Sequence, residues 1–216
     1  MGRWVLHQIE LLVFLSLTAA VVYGFFFCWR LGSVAKTLLK TACLALLAIA
    51  AYLQSAPLLL VGALALSAIG DAALAEEGDK RFLFGLVSFA CAHIFYILLY
   101  VQLVSEVDQV RLVLGGLVFG TLALSTRWWL LPHTGELKIP VLGYVVLICI
   151  MGLLASQVTA VLMVGAMLFV LSDIVLSLQL FRMGPNGGQN KLVSITLWFL
   201  YYGGQALIFL WFSGYV

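Results

Sequence analysis

The stretch 159–181, TAVLMVGAMLFVLSDIVLSLQLF, carries a single charged residue, Asp173. A helix needs about 20 apolar residues to cross the hydrocarbon core of a bilayer, so this stretch is long enough to span one. An ionised carboxylate at that depth costs about 2.5–3.5 kcal/mol on translocon-insertion scales. The sequence therefore predicts a membrane helix whose aspartate has a function that offsets its cost.

A second stretch has the same character. Residues 57–75, PLLLVGALALSAIGDAALA, contain only one charge, Asp71. Each acid lies 14 residues after the start of its stretch, which corresponds to about 21 Å along a helix. We therefore expect both acids at a similar depth, nearer the cytoplasmic face. Small residues at helical spacing around Asp71, such as Ser67 and Gly70, favour close approach of another helix and an inward-facing carboxyl group.

Composition gives the class of the whole chain. Of its 216 residues, 64% are hydrophobic and 9% are charged, whereas about 25% are charged in a typical soluble protein. Polar residues are too sparse for a membrane β-barrel with a polar interior. The predicted fold class is all-α, a polytopic membrane helix bundle. Nucleic-acid binding has no support because there is no basic run, and the four cysteines lie in apolar runs without a C-x-x-C pair, as expected of buried apolar side chains.

Eight transmembrane helices are predicted in a single membrane domain, residues 1–216. The fifth is the weakest, being short and glycine-rich. The two acids are 102 residues apart, and weak similarity at this offset suggests two parallel four-helix repeats, about 9–104 and 110–212. The predicted helices are roughly 9–28, 37–53, 57–75, 82–104, 110–126, 139–156, 159–181 and 192–212.

The basic residues are divided unequally between the two sides of the membrane. Because positive charge concentrates in cytoplasmic loops, the loops after helices 1, 3, 5 and 7 are predicted to be cytoplasmic and both termini non-cytoplasmic, in a bacterial inner (plasma) membrane. The loop 76–81, EEGDKR, is expected to be a solvated connector, and 183–191, MGPNGGQNK, to be the most flexible segment. The side predicted to be cytoplasmic has Arg30, Lys36, Lys40, Lys80, Arg81, Arg127, Lys138, Arg182 and Lys191. The opposite side has Arg3 and Arg111.

Several polar residues of the apolar helices are candidates for function. His93 lies near the middle of the fourth helix, one loop away from Asp71, where the neutral imidazole suits the depth. A lone histidine on such a helix is more often structural, but a nearby carboxyl group favours a functional role. Lys36 and Lys40 begin the second helix; snorkelling explains them, and their level also suits contact with a phosphate. Tyr144, Tyr201 and Gln205 either line a cavity or make interhelical hydrogen bonds.

Known catalytic motifs are missing from the sequence. It has no H-E-x-x-H, no cluster of cysteine and histidine, no G-x-S-x-G and no phosphate-binding glycine loop, so no metal and no cofactor are expected. The remaining set is a pair of carboxyl groups and a histidine within a membrane cavity. That set fits acid–base chemistry.

An ordered combination of short motifs resembles the YhhN-like lysoplasmalogenase family over nearly the whole chain. One departure is Thr37, where the family often has proline after the lysine. The motifs are G-D-x-x-L ending the third helix (Gly70, Asp71, Leu74), G-x(7)-H-x-x-Y in the fourth (Gly85, His93, Tyr96), Tyr144 with Met151 and Ala155 in the sixth, S-D-x-x-L in the seventh (Ser172, Asp173, Leu176) and Y-x-x-x-Q in the eighth (Tyr201, Gln205).

The resemblance implies hydrolysis of the vinyl ether bond of a lysoplasmalogen, with ethanolamine or choline head group, to a fatty aldehyde and a glycerophospho-head group. For this reaction, our hypothesis assigns the acid and electrostatic roles to Asp71 and Asp173, in either order, and the orientation of the acid or the water to His93. The partners would be the lysophospholipid substrate and membrane lipids. The substrate-binding residues would be Tyr96, Tyr144, Ser67, Ser172, Lys36, Tyr201 and Gln205.

Two other classes of function compete with hydrolysis. Buried acids also relay protons, so a proton-coupled small-molecule or lipid transporter is the main alternative. Against it, all four prolines lie at helix edges or in loops, without the paired breaks of broken-helix transport sites. The third hypothesis is a non-catalytic protein for lipid binding or assembly.

Overall fold

The computed structural model describes residues 3–75, 78–184 and 189–216, which include the backbone but not the side chains of Arg3 and Asp79. The predictions for the loops 76–81 and 183–191 fall partly outside these residues. Eight α-helices and no strands are present in the described part, so the predicted all-helical fold is confirmed. The helices are α1 Arg3–Phe26, α2 Val34–Leu53, α3 Leu58–Leu74, α4 Asp79–Leu103, α5 Gln109–Trp129, α6 Lys138–Val158, α7 Ala160–Phe181 and α8 Lys191–Phe212.

Polar caps set the starts of several helices. Ser33, Asp108, Thr159 and Asn190 precede α2, α5, α7 and α8, and each side chain accepts a hydrogen bond from a backbone N–H of the first turn. Such caps satisfy donors that have no partner within the helix. Because the caps end each connection at a defined residue, the connections can be short. Short connections place consecutive helices antiparallel to each other.

Seven of the helices are long and apolar enough to cross a membrane, as judged by length and composition. The exception is α3, which has 17 residues and is about 25 Å long, against about 30 Å for the hydrocarbon core. The fifth helix, predicted as the weakest, forms fully and is the least buried of the seven. The chain is thus an integral membrane protein, and its orientation and membrane of residence stay predictions.

The helices close into a ring. Following the contacts around it, α1 packs on α2, α2 on α3, α3 on α4, α4 on α6, α6 on α7, α7 on α8, and α8 on α1. Helix α5 is left outside this ring and packs mainly on α6. Helices α4 and α6 pack together although α5 lies between them in the sequence. The arrangement of the site described below depends on this contact. The possible internal repeat and the single-domain boundary stay predictions.

One end of the bundle holds the ends of α1, α3, α5 and α7 and the starts of the other four helices. We call it the basic end because it holds nine of the basic residues in the sequence. At the opposite end, Gln54 Nε2 donates to Ser213 Oγ at 2.8 Å and ties the end of α2 to the end of α8. The two ends therefore differ in charge as the sequence predicts.

Close backbone contact joins α7 and α8 near the centre. A Cβ atom placed on Gly204 would lie 2.7 Å from the carbonyl oxygen of Gly165 and 3.1 Å from the backbone nitrogen of Phe169. Only glycine fits at such an approach. The contact brings Tyr201, one turn before Gly204, against the Phe169 ring, with centroids 5.3 Å apart.

Candidate functional site

A cavity of about 570 Å³ lies at the basic end and is lined by residues from all eight helices. Both predicted acids, Asp71 and Asp173, line it. So do Tyr144, Tyr201 and Lys36 from the predicted substrate-binding set. Pockets for small molecules commonly have volumes of about 300–1,000 Å³. The fold thus brings together, in one cavity, two acids that the sequence places 102 residues apart.

Asp71 is paired with a cation. Its side chain is 1% exposed, Oδ1 lies 3.2 Å from Lys40 Nζ, and Oδ2 accepts a 2.8 Å hydrogen bond from the Tyr201 hydroxyl. The Lys40 side chain is 12% exposed, so the pair is largely screened from water. Breaking such a pair is costly because it leaves one charge buried without compensation. Both carboxylate oxygens are therefore engaged, and the negative charge of Asp71 is compensated.

Asp173 has a different environment. It is half-buried, and its Oδ2 accepts a 2.6 Å hydrogen bond from the Tyr144 hydroxyl. No salt bridge to Asp173 occurs within the described part of the chain. The neighbouring Ser172 also lines the cavity, and its hydroxyl donates to the Phe169 carbonyl at 2.7 Å. The two acids thus share one cavity but differ in their partners.

A row of rings connects the two acids. Starting at Tyr201, the hydrogen-bond donor to Asp71, the ring centroids of Tyr201 and Phe169 are 5.3 Å apart. Those of Phe169 and His93 are 4.8 Å apart, and those of His93 and Tyr144 are 5.1 Å apart, all three contacts being edge-to-face. Tyr144 then donates to the second acid. This packing fixes the two tyrosines relative to each other.

His93 is part of this row but does not line the cavity. It is fully buried, and Nδ1 is 2.6 Å from the Phe89 carbonyl oxygen. Because a carbonyl only accepts, Nδ1 carries the hydrogen in this contact and Nε2 is the acceptor. Nε2 has no hydrogen-bond partner among the described residues. His93 contacts Tyr144 rather than the cavity, so this geometry gives it an indirect influence on Asp173.

Three of the predicted substrate-binding residues form a separate buried network. The Tyr96 hydroxyl donates to Gln205 Oε1, Gln205 Nε2 donates to Ser67 Oγ at 2.9 Å, and Ser67 donates to the Ala63 carbonyl at 2.8 Å. None of these side chains lines the cavity. The network joins α3, α4 and α8 and satisfies polar groups that burial would otherwise penalise. Their part in substrate binding stays a prediction, and their observed contacts are interhelical.

The mouth of the cavity carries further positive charge. Lys36 is half-buried, lines the cavity, and donates from Nζ to the Arg30 carbonyl at 2.6 Å. Arg30 is exposed and also lines the cavity. An anion at this position would meet two cations, as the predicted phosphate contact requires.

Lys40 was missed as the partner of Asp71, although the sequence contains a signal. In an antiparallel pair of helices, residues equidistant from the turn lie at the same level. Lys40 is 14 residues before Gln54, and Asp71 is 14 residues after Pro57, the two ends of the turn. Symmetry about the turn therefore predicts the pair.

The second acid obeys the same rule. Tyr144 is 14 residues before Val158, where α6 ends, and Asp173 is 14 residues after Thr159. Phe169, the phenylalanine in the row between the acids, had no comparable signal because phenylalanine is common throughout these helices. Among the described residues, no group of three or more histidine, cysteine, aspartate or glutamate side chains could hold a metal ion.

One of the comparisons with known proteins identifies the family of this chain. Residues 35–212 match the YhhN family, a range that covers α2 to α8 and includes every candidate site residue. No curated protein and no solved structure matches the chain. The family match extends over most of the 216 residues. The chain therefore belongs to the YhhN family.

Proposed function

We propose that this protein hydrolyses the vinyl ether bond of lysoplasmalogens, releasing a fatty aldehyde and a glycerophospho-head group. The observation that supports this most directly is the pair of acids in one cavity, one with a cationic partner and one without. Membership of the YhhN family is compatible with a hydrolase. The reaction needs a proton donor and a negative charge, and two carboxyl groups in different states can supply both.

Vinyl ether hydrolysis begins with a proton transfer to carbon. Protonation of the β-carbon converts the ether into an oxocarbenium ion, water adds to the cationic carbon, and the resulting hemiacetal collapses to aldehyde and alcohol. The site must supply a proton donor, a negative charge near the cation and a positioned water. Glycosidases meet the same demand with two carboxyl groups around an oxocarbenium-like transition state.

Asp173 fits the role of the acid. An isolated carboxylate is expensive to bury, and no cation in the described part of the chain compensates a charge on Asp173, so the neutral form is favoured. The Tyr144 hydroxyl donates to Oδ2, which leaves Oδ1 to carry the proton. Tyr144 would keep the carboxyl group oriented and would stabilise the carboxylate formed after the proton leaves.

Asp71 fits the role of the carboxylate. Its pairing with Lys40 and Tyr201 supports the ionised form. It would stabilise the oxocarbenium ion and take a proton from the water that adds to it. When the hemiacetal breaks, that proton passes to the leaving glycerol oxygen, and the proton of the hemiacetal hydroxyl returns to Asp173. The cycle consumes one water and restores both acids.

The test is aldehyde release from lysoplasmenylethanolamine by the protein purified in detergent. Asp71→Asn and Asp173→Asn should each reduce turnover by about 100-fold or more, the usual scale of a lost acid or base. Asp108→Asn is the matched control, because Asp108 is exposed and caps α5 at the opposite end of the bundle. Near-normal turnover in both folded site variants would refute the assignment. Proton-coupled uptake into proteoliposomes without aldehyde release would support the transporter instead.

A further inference from the structure

Charge is distributed unequally around the cavity. The positively charged residues among the described lining residues are Arg30, Lys36 and Lys40, and all three belong to α2 or to the segment before it. On the side formed by α5, α6 and α7, Asp173 is the one charged residue among the described lining residues. The cavity thus has a cationic wall at α2. The wall formed by α5, α6 and α7 is mainly apolar, and its polar lining residues are Thr126, Tyr144, Ser172, Asp173, Ser177 and Gln179.

We call the second region the apolar arm. On α6 its residues run from Val141 to Cys149, a rise of about 12 Å along the helix axis. Its side chains are mainly aliphatic and aromatic, as in pockets that bind apolar ligands. The arm is lined by Leu122, Thr126, Trp129, Val141, Val145, Ile148, Cys149, Ile174, Leu180 and Phe181.

We propose that the apolar arm binds the hydrocarbon chain of the substrate, while the cationic wall binds its phosphate. The cavity would therefore accept single-chain amphiphiles with an anionic phosphate in one orientation. The reverse orientation would place the phosphate among apolar side chains and next to Asp173. Burial of a phosphate group among apolar side chains, without cations beside it, is strongly unfavourable.

This orientation agrees with the polarity of the bond to be cleaved. In the group O–CH=CH–R, the glycerol oxygen lies on the head-group side and the β-carbon on the chain side. Asp173 projects from α7 beside the apolar arm, whereas Asp71 is bonded to Lys40 of the cationic wall. The acid is thus on the side of the carbon that receives the proton. This step rests on the proposed function, whereas the binding of phosphate and chain does not.

The experiment measures binding of saturated alkyl-ether lysophospholipids, which contain no vinyl ether, by the detergent-purified protein. Leu122→Trp reduces the space in the arm. If a long-chain ligand buries two methylenes fewer as a result, its binding should weaken at least about 10-fold. A ligand whose chain is several carbons shorter should be little affected. Leu124→Trp is the control, since this residue is 67% exposed on the same helix and does not line the cavity. Leu122→Ala, which adds space, should shift the preference toward longer chains and covers the case in which the tryptophan variant does not fold.

Phosphate recognition is measured separately. Lys36→Gln should weaken binding of the lysophospholipid by about 10-fold, while a monoalkylglycerol with the same chain should bind as before. Equal chain-length profiles in both tryptophan variants, together with no shift in Leu122→Ala, would overturn the chain subsite. Equal losses for both ligands in Lys36→Gln would overturn the phosphate assignment. Chain-selective binding without any aldehyde release would uphold this inference and refute the hydrolase, so the two failures are distinguishable.

Discussion

Replacing Lys40 by methionine would remove the cation from Asp71 while keeping a side chain of similar length. Asp71 is 1% exposed and the Lys40 side chain is 12% exposed, so the few waters that can reach the pair do not supply the positive charge of the ammonium group. Removing one partner from a buried ion pair costs about 3–5 kcal/mol, because the remaining charge is uncompensated. We expect Lys40→Met to destabilise the folded protein by this amount. The remaining hydrogen bond, from Tyr201, limits the loss but does not neutralise the carboxylate.

The assay is unfolding of the detergent-solubilised protein, followed with and without the second substitution Asp71→Asn. The double variant has no buried charge left at this position, so it should be more stable than the sum of the single effects predicts, by about 1–3 kcal/mol. Lys138→Met is the control, since Lys138 is exposed at the start of α6, and should change stability by less than about 0.5 kcal/mol. If Lys40→Met and Lys138→Met are equally mild, or the double variant is simply additive, the ion pair is not a significant interaction.

Two further predictions concern the second acid and the helix packing behind it. Tyr144→Phe removes the hydrogen-bond donor to Asp173 and keeps the ring contact with His93. In the aldehyde-release assay, turnover should fall about 10-fold. The control Tyr52→Phe, at an exposed position, should leave turnover unchanged. Equal turnover in both would show that the hydroxyl has no role. Gly204→Ala would force a Cβ to 2.7 Å from the Gly165 carbonyl oxygen and should cost about 1–3 kcal/mol of stability. Gly203→Ala meets only Leu168 at 3.9 Å and should be tolerated in thermal unfolding; a loss as large as that of Gly204→Ala would refute this packing.

The helices and the two acids could be predicted because they depend on local features of the sequence. Runs of apolar residues interrupted by short polar turns specify membrane helices without reference to their neighbours. The helix starts are correct to within a few residues except at α1, which begins at Arg3 rather than near residue 9. There the helix continues beyond the apolar run, through the polar residues His7 and Gln8, to Trp4 and Leu6, which are exposed on the surface.

The assignment of residues to the cavity could not be predicted in the same way. A helix that is apolar on all sides gives no sign of which face meets lipid and which meets protein. From the sequence, His93 is therefore related to Asp71 by proximity along the chain. In the fold, α4 packs on α6, which places His93 against Tyr144 and thus behind Asp173. Packing between helices that are not consecutive in the sequence cannot be recognised from the hydropathy of the sequence.

The symmetry of the two hairpins accounts for the different environments of the two acids, on which their proposed roles depend. In α2–α3 and in α6–α7, the acid lies at the level of a residue equidistant from the turn, and each acid bonds to that residue. The residue is lysine in the first hairpin and tyrosine in the second. A lysine compensates a negative charge, whereas a tyrosine hydroxyl bonds to either form of a carboxyl group and compensates none. The proposed roles, a carboxylate at Asp71 and a proton donor at Asp173, therefore depend on a single difference of side chain at one structural position.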